Sequence, residues 1–190
     1  MDRKDGGSRI GIRAGAAVAA LAGAALLAGS ARLARAGEDT TAKNPGKATA
    51  TIEARSGSKV TGTATFEKME GHVHVTVEIS GATPGEHGVH IHEKGDCSAP
   101  DASSAGPHFN PAGKTHGGPD APMHHAGDFG NLTVGADGKG KLMLMTMDLS
   151  LDPGPQSVIG RAIVIHEKPD DLKSQPAGNA GARIGCGVIR

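Results

Sequence analysis

Apolar and polar residues alternate with a period of two along much of the chain after residue 47. Over residues 72–80 (HVHVTVEIS), Val73, Val75, Val77 and Ile79 fall on one face, which is the pattern of a half-buried strand. No window shows a sustained apolar stripe at helical spacing. Alternation or a short β-branched apolar run predicts seven further strands, at 48–54, 58–66, 87–92, 129–134, 139–147, 159–166 and 184–189.

This strand pattern predicts an all-β fold. Short Gly-containing breaks separate the first three strands, and Asp137-Gly138 is a hairpin signal between two of the later ones. Eight short antiparallel strands indicate a Greek-key sandwich or flattened barrel. Two long segments without strand pattern, 94–127 and 167–183, interrupt it. Loops of this length inside a compact domain are usually functional, so we expect the chemistry there.

Composition narrows the class of protein. The 190 residues suit one ordinary domain, and 30 Gly and 11 Pro without Trp or Tyr favour tight turns over aromatic stacking platforms. Twenty Lys and Arg balance twenty Asp and Glu, so no nucleic-acid partner is expected. Ten histidines, all between His72 and His166, outnumber the two cysteines. They point to a metal site built on imidazole.

Residues 1–36 have the pattern of a secretory signal peptide. Basic residues precede an Ala- and Gly-rich apolar run at 14–29, and Ala34-Arg35-Ala36 is a small-x-small cleavage site. The run is shorter than the roughly 20 apolar residues that span a bilayer, so we expect cleavage after Ala36 and no membrane span afterwards; an uncleaved anchor is the alternative. Residues 37–47 are expected to be flexible and 48–190 to form the domain. The expected location is the periplasm, with an extracellular one as the alternative.

Export also changes the interpretation of the two cysteines. In an oxidising compartment an even count favours a disulfide. A bond between Cys97 and Cys186 would close a loop of about 89 residues, worth about 4 kcal/mol in the chain-entropy model. Two free buried thiols are the alternative, while the absence of a CxxC spacing argues against a thiolate zinc site.

Several histidines have spacing that suits metal binding. His90 and His92 are two residues apart on an extended segment, so both project from one face of the strand. His166 ends another predicted strand. Imidazole suits copper and zinc, and a set of three histidines and one aspartate suits tetrahedral zinc. Such a set lies in or just after the first long loop: His108, His116, His125 and Asp128.

Six segments, in consistent order between residues 48 and 190, resemble the copper/zinc superoxide dismutase family. The resemblance implies the eight-stranded β-sandwich or flattened barrel that the strand pattern also indicates. The segments are GEHGVHIHEKGDC (85–97), SAGPHFNP (104–111), HGGP (116–119), HHAGDFGNL (124–132), GRAIVIHEKPDDL (160–172) and GNAGARIGCGVI (178–189).

The resemblance implies both ligand sets and the reaction. The implied copper ligands are His90, His92, His108 and His166, and the implied zinc ligands are His108, His116, His125 and Asp128. His108 would bridge the metals and supply a proton to the departing product. The reaction is disproportionation of superoxide to O₂ and H₂O₂, in which copper cycles between Cu(II) and Cu(I) while Zn(II) organises the loop.

Two further residues match supporting positions of the family. Asp170 matches the carboxylate that hydrogen-bonds a ligand of each metal. Arg183 matches the arginine near the open copper position, where it attracts a small anion. Lys173 is a candidate second steering charge, and a solvated surface lysine is an equally favoured interpretation. The quaternary state stays open, with a homodimer as the form that the family suggests.

Two other functions stay open at this point. One is a protein of the same fold that binds or buffers copper and zinc without turnover. Such a carrier would tolerate losing His166, the bridging histidine or Arg183, and none of them is lost here. The other is a zinc hydrolase, which would need an open zinc position, whereas the implied zinc site has four protein ligands.

The remaining histidines and methionines are not assigned to the site. His72 and His74 are expected to face solvent, where their spacing could bind adventitious metal, and His87 has no place in the ligand set. The methionines of 143–147 (MLMTM) alternate at strand spacing. Ordinary packing is expected for them, with a role as soft metal ligands as the alternative.

Overall fold

The computed structural model describes residues 46–190. The predicted signal peptide and residues 37–45 of the predicted flexible segment lie outside these described residues. Within the described range, no helix is both long and apolar enough to cross a membrane. Eight strands are present: β1 Lys47–Ala54, β2 Thr61–Met69, β3 His72–Ser80, β4 Gly85–His92, β5 Asp128–Val134, β6 Lys139–Thr146, β7 Ala162–His166 and β8 Arg183–Val188.

The strands close into one antiparallel barrel in the order β1-β2-β3-β6-β5-β4-β7-β8. The consecutive strands β4, β5 and β6 lie side by side, and β7 returns to pair with β4 rather than with β6. This arrangement is a Greek key. The prediction of an all-β fold with eight antiparallel strands is therefore confirmed.

The barrel interior is filled by the apolar face of each strand. On β3, Val73, Val75, Val77 and Ile79 are each at most 4% exposed, as their alternation predicts. Phe66 of β2 is fully buried in the same cluster. Each such side chain contributes about 1.5–3 kcal/mol by leaving water, so this core holds the barrel together.

β4 and β7 are buried on both faces, and this double burial positions the functional side chains. Their inward residues, Val89, Ile91, Ile163 and Ile165, join the barrel core. The outward residues lie under the long β4–β5 and β7–β8 connections, so the outer face of β4 is also shielded from water. Polar side chains on that outer face must find partners there.

Two strands begin three residues later than predicted, and the other starts agree within two residues. β2 begins at Thr61 rather than at 58, because the Ser58 hydroxyl donates to the carbonyl of Ile184 and accepts from the N–H of Val60, which forms a local turn. β7 begins at Ala162 rather than at 159, because Gly160 adopts a φ of 78° and breaks the extended backbone.

The predicted disulfide between Cys97 and Cys186 is present, with a Cα–Cα distance of 5.8 Å that suits such a bond. It ties the β4–β5 connection to β8. Cys186, Ala162 and Val164 form a second, smaller apolar cluster with Ala102 and Ala105 of that connection. The long loop is thus attached to the barrel both covalently and by packing.

The prediction that the methionines of 143–147 pack normally is wrong. Met143, Met145 and Met147 are 55%, 71% and 79% exposed. Leu142 and Leu144 occupy the inward positions of β6 and pack against the core. The methionines therefore face outward. On the neighbouring strand, the predicted solvent-facing residues His72 and His74 also lie on the outer face and are half-buried.

Candidate metal centre

The seven residues implied as metal ligands come together on the outer side of β4, beneath the two long connections. His90 and His92 project from β4, and His166 projects from the end of β7 at a register shift after Ile165. All seven are buried, with exposures between 0% and 7%. The β4–β5 connection and the start of β5 contribute the other four: His108, His116, His125 and Asp128.

These side chains form two groups that share His108. Within each group the candidate ligand atoms all lie within 4.8 Å of one another. The four-histidine group comprises His90, His92, His108 and His166. The three-histidine–aspartate group comprises His108, His116, His125 and Asp128.

One ring nitrogen of each imidazole in these groups is buried without a hydrogen-bond partner among the described residues. A buried polar atom left unpaired costs about 1–3 kcal/mol, so this cluster calls for an electron-pair acceptor. A divalent metal ion in each group meets that requirement. The six atoms are Nδ1 of His90, His116 and His125, and Nε2 of His92, His108 and His166. Nδ1 of His116 and Nδ1 of His125 also lie 3.1 and 3.3 Å from the carboxylate oxygens of Asp128, the fourth member of their group.

In five of the six imidazoles, all but His125, the opposite ring nitrogen lies beside an acceptor. Nδ1 of His92 donates to the carbonyl of Gly106 at 2.8 Å, and Nδ1 of His166 lies 3.3 Å from the carbonyl of Gly181. A carbonyl only accepts, so the proton resides on Nδ1 and the lone pair on Nε2. His108 differs, because its Nδ1 lies 2.9 Å from a carboxylate oxygen, Oδ1 of Asp128, while its buried Nε2 has no hydrogen-bond partner among the described residues.

Asp170 connects the two groups. Its Oδ2 accepts from Nε2 of His90 at 2.7 Å, and its Oδ1 accepts from Nε2 of His116 at 2.9 Å. Because the Asp170 carboxylate holds the proton of each ring on Nε2, the Nδ1 lone pair is free in His90 and in His116, one member of each group. Asn131 of β5 bonds both the N–H and the carbonyl of Asp170, and a Cβ at Gly178 would overlap the carboxylate. Both contacts fix where the carboxylate lies.

Burial keeps His90, His92 and His166 in the neutral form that a metal ligand needs. Burial, reinforced by the neighbouring imidazole of His108, holds the pKa of His90 and of His92 well below the ordinary value. Burial likewise lowers the pKa of His166 to about 4. For Asp128, burial alone would raise the pKa, but hydrogen bonds from His108 and the His125 N–H outweigh it and lower the pKa far below the ordinary range. The carboxylate is therefore ionised.

A cavity of about 880 Å³ opens on the four-histidine group. His92, His108 and His166 line it, together with Arg183. Arg183 is half-buried and donates to the carbonyls of Ala102 and Gly106 at 2.8 Å each. Burial lowers the pKa of Arg183, yet a guanidinium remains charged at any working pH. The cavity thus combines a fixed cation with unpaired imidazole nitrogens.

Two other cationic residues, Arg161 and Lys173, are placed differently from Arg183. Arg161 also lines the cavity, but its guanidinium stacks on the Phe109 ring at 3.7 Å and donates to the carbonyls of Ser157 and Glu93. These contacts hold the Arg161 guanidinium in the wall of the cavity. Lys173, the candidate second steering charge, is exposed in the β7–β8 connection and is not among the residues that line the cavity.

His87 is a supporting residue that the sequence interpretation missed. It lies within β4 and is 2% exposed, and its Nδ1 and Nε2 lie 2.8 Å from the carbonyl oxygens of His166 and Thr83. It therefore fixes the backbone from which His166 projects. The available signal was its odd-numbered position, which places it on the inward face with Val89 and Ile91.

The fold is thus a Greek-key β-barrel, and its two groups of candidate metal ligands share one imidazole. The family model described as copper/zinc superoxide dismutase matches residues 60–189, and the chain belongs to that family. The crystal structure of the clock protein EA4 is similar, with 42% sequence identity, a TM-score of 0.70, and an alignment covering 76% of this chain and 94% of that one.

Proposed function

We propose that this protein disproportionates superoxide to O₂ and H₂O₂. Copper would be held by the four-histidine group, His90, His92, His108 and His166. Zinc would be held by the other group, His108, His116, His125 and Asp128. The observation that carries the proposal is that His108 belongs to both groups and lines the cavity that Arg183 also lines.

The two groups differ in their donors, four imidazoles in one and three imidazoles with a carboxylate in the other, and this difference supports the division of roles. Copper supplies one-electron chemistry when bound, through Cu(II) and Cu(I), and zinc has no redox chemistry. The three-histidine–aspartate group offers four protein ligands, which complete a tetrahedral site and leave no position for substrate. That closure also disfavours the zinc hydrolase alternative.

Arg183 and His108 would act on substrate and product. Arg183 attracts the superoxide anion into the cavity and orients it, since its guanidinium is held by two carbonyls at a fixed place. His108 lines the same cavity, and its Nε2 is the atom at which a proton would be held and then given to the peroxide product. Asp170 and His87 position ligands and take no direct part.

The test is superoxide decay measured by pulse radiolysis, with copper and zinc quantified in the same sample and ionic strength varied. A dismutase gives a copper-dependent rate that falls as salt screens Arg183. Full metal loading without turnover would contradict the proposal. That result would favour the second candidate, a protein that binds copper and zinc without catalysis. The similarity to a structure named as a clock protein is a reason to test this second candidate.

We also propose export to the periplasm, with residues 1–36 removed. The Cys97–Cys186 bond supports this, because disulfides persist in oxidising compartments. Intact-mass measurement on protein from a periplasmic fraction should give a chain that starts at Gly37, and a full-length cytoplasmic product would contradict the idea. Sedimentation of the same sample tests the homodimer.

A further inference from the structure

All five methionines of the described residues are exposed, with exposures from 51% to 79%: Met69, Met123, Met143, Met145 and Met147. Methionine is normally a residue of protein interiors, and the buried core of this barrel contains none. Their exposure is therefore a feature of the molecule that packing does not explain.

One of these methionines faces a histidine on the outer surface of the barrel, and a second lies beside it. His74 of β3 lies directly opposite Met145 of β6 in the antiparallel register. Side chains opposite each other have Cβ atoms about 4.5–5.5 Å apart. Met147 comes directly after the last residue of β6, two residues beyond Met145, and is 79% exposed, so its long side chain is diagonal to His74 and within its reach. The thioether groups of Met145 and Met147 and the imidazole of His74 can thus approach one another on this surface.

The His74 imidazole is available as a ligand. Among the described residues it has no hydrogen bond or ion pair. Its neighbour on the other side, Glu67 of β2, is occupied by an ion pair with Lys47 at 3.0 Å. His124 lines the groove beside β6 with both methionines, but both of its ring nitrogens have partners: Nδ1 lies 2.9 Å from the carbonyl of His125, and Nε2 lies 3.7 Å from Asp148 Oδ2.

We propose that Met145, Met147 and His74 form a surface site for Cu(I). Thioether sulfur is a soft donor that selects Cu(I) over hard cations, and imidazole suits copper in both oxidation states. Three donors of this kind suit the low coordination number of a soft monovalent ion. The two buried groups offer only nitrogen and oxygen atoms, so this site differs from them in chemistry and in position. It does not depend on dismutase activity.

The test uses the full chain with both buried groups loaded with copper and zinc. Anaerobic titration with Cu(I) against a colorimetric Cu(I) chelator should show one further ion bound per chain. In a sample with ¹³C-labelled methionine methyl groups, the Met145 and Met147 signals should shift on addition of Cu(I) while the Met123 signal stays in place. No further ion, or an unmoved Met145 signal, would overturn the proposal.

Variants identify the ligands. M145L, M147L and H74Q should each weaken binding of the further Cu(I) by about tenfold or more, because each removes one donor. The matched controls M123L and H124Q remove an exposed methionine and a groove histidine outside the site, and should leave binding within about twofold. Equal losses in the controls would refute the assignment. The substituted side chains lie outside the barrel core, so unchanged thermal unfolding confirms that each variant is folded.

Discussion

At the scale of single residues, the carboxylate of Asp170 is the contact on which both ligand groups depend. In Asp170→Asn the amide offers one acceptor oxygen for two ring N–H groups, so either His90 or His116 loses its orientation. We expect metal affinity to fall about 10–100-fold, as for other outer contacts of metal ligands. Competition with a chelator measures this.

The neighbouring carboxylate provides a matched control for that substitution. Asp171 is exposed, and it accepts from the backbone N–H groups of Lys173 and Ser174 rather than from an imidazole. Asp171→Asn should therefore leave metal affinity near that of the unmodified chain. If both variants lost metal equally, the effect would belong to the loop as a whole and the role given to Asp170 would be wrong.

Arg183 is the residue on which anion attraction rests in this molecule. Arg183→Ala should retain both metals, because no candidate ligand contacts its side chain directly, but the superoxide decay rate and its dependence on salt should both fall. Pulse radiolysis at several ionic strengths measures both quantities. Lys173→Ala is the comparison and should change neither. If Lys173→Ala lost more of the superoxide decay rate than Arg183→Ala, the role given to Arg183 would be wrong.

At the scale of the elements, alternation predicts strands well but does not decide which face is inward when both are apolar. In β3, polar and apolar residues alternate, and the valines face the core as predicted. In β6, leucines alternate with methionines, so the pattern allows either face inward, and only the barrel shows that the leucines are inside. The outward methionines could not be derived from the sequence pattern.

The sequence pattern could not place the candidate ligands that lie on the long connections. The β4–β5 connection has no periodicity, so spacing alone could not place its three candidate ligands beside β4. Their assignment came from resemblance to the family, and their proximity came from the structure. Likewise, the contact of Asn131 with Asp170 joins residues 39 apart, and nothing local in the sequence marks such a pair.

The attachment of that connection to β8 gives a prediction for the disulfide. Replacing both Cys97 and Cys186 with alanine should lower the free energy of unfolding of the metal-free chain by about 4 kcal/mol, because the unfolded chain regains the entropy of a closed loop. Urea unfolding followed by circular dichroism measures this. An unchanged midpoint would mean that packing of the Ala102 and Ala105 cluster alone holds the connection.

At the scale of the whole molecule, the residues that form the apolar core of the barrel are separate from the candidate metal ligands. The apolar interior is formed by residues of all eight strands and contains no candidate ligand. The ligands lie on the outer wall, under two connections. Stability of the barrel and occupancy of the four-histidine group should therefore be separable by substitution.

His166→Ala tests this separation, and His116→Ala is its counterpart. His166 belongs to the four-histidine group alone, so its loss should abolish copper binding and activity while zinc content stays near one ion per chain. His116 belongs to the other group and contacts Asp170, so its loss should remove zinc and also disturb the neighbouring His90. Elemental analysis gives both metal contents, and circular dichroism should show an intact barrel in His166→Ala. An unfolded His166→Ala would show that the barrel depends on copper, because the disulfide and the zinc group remain in that variant.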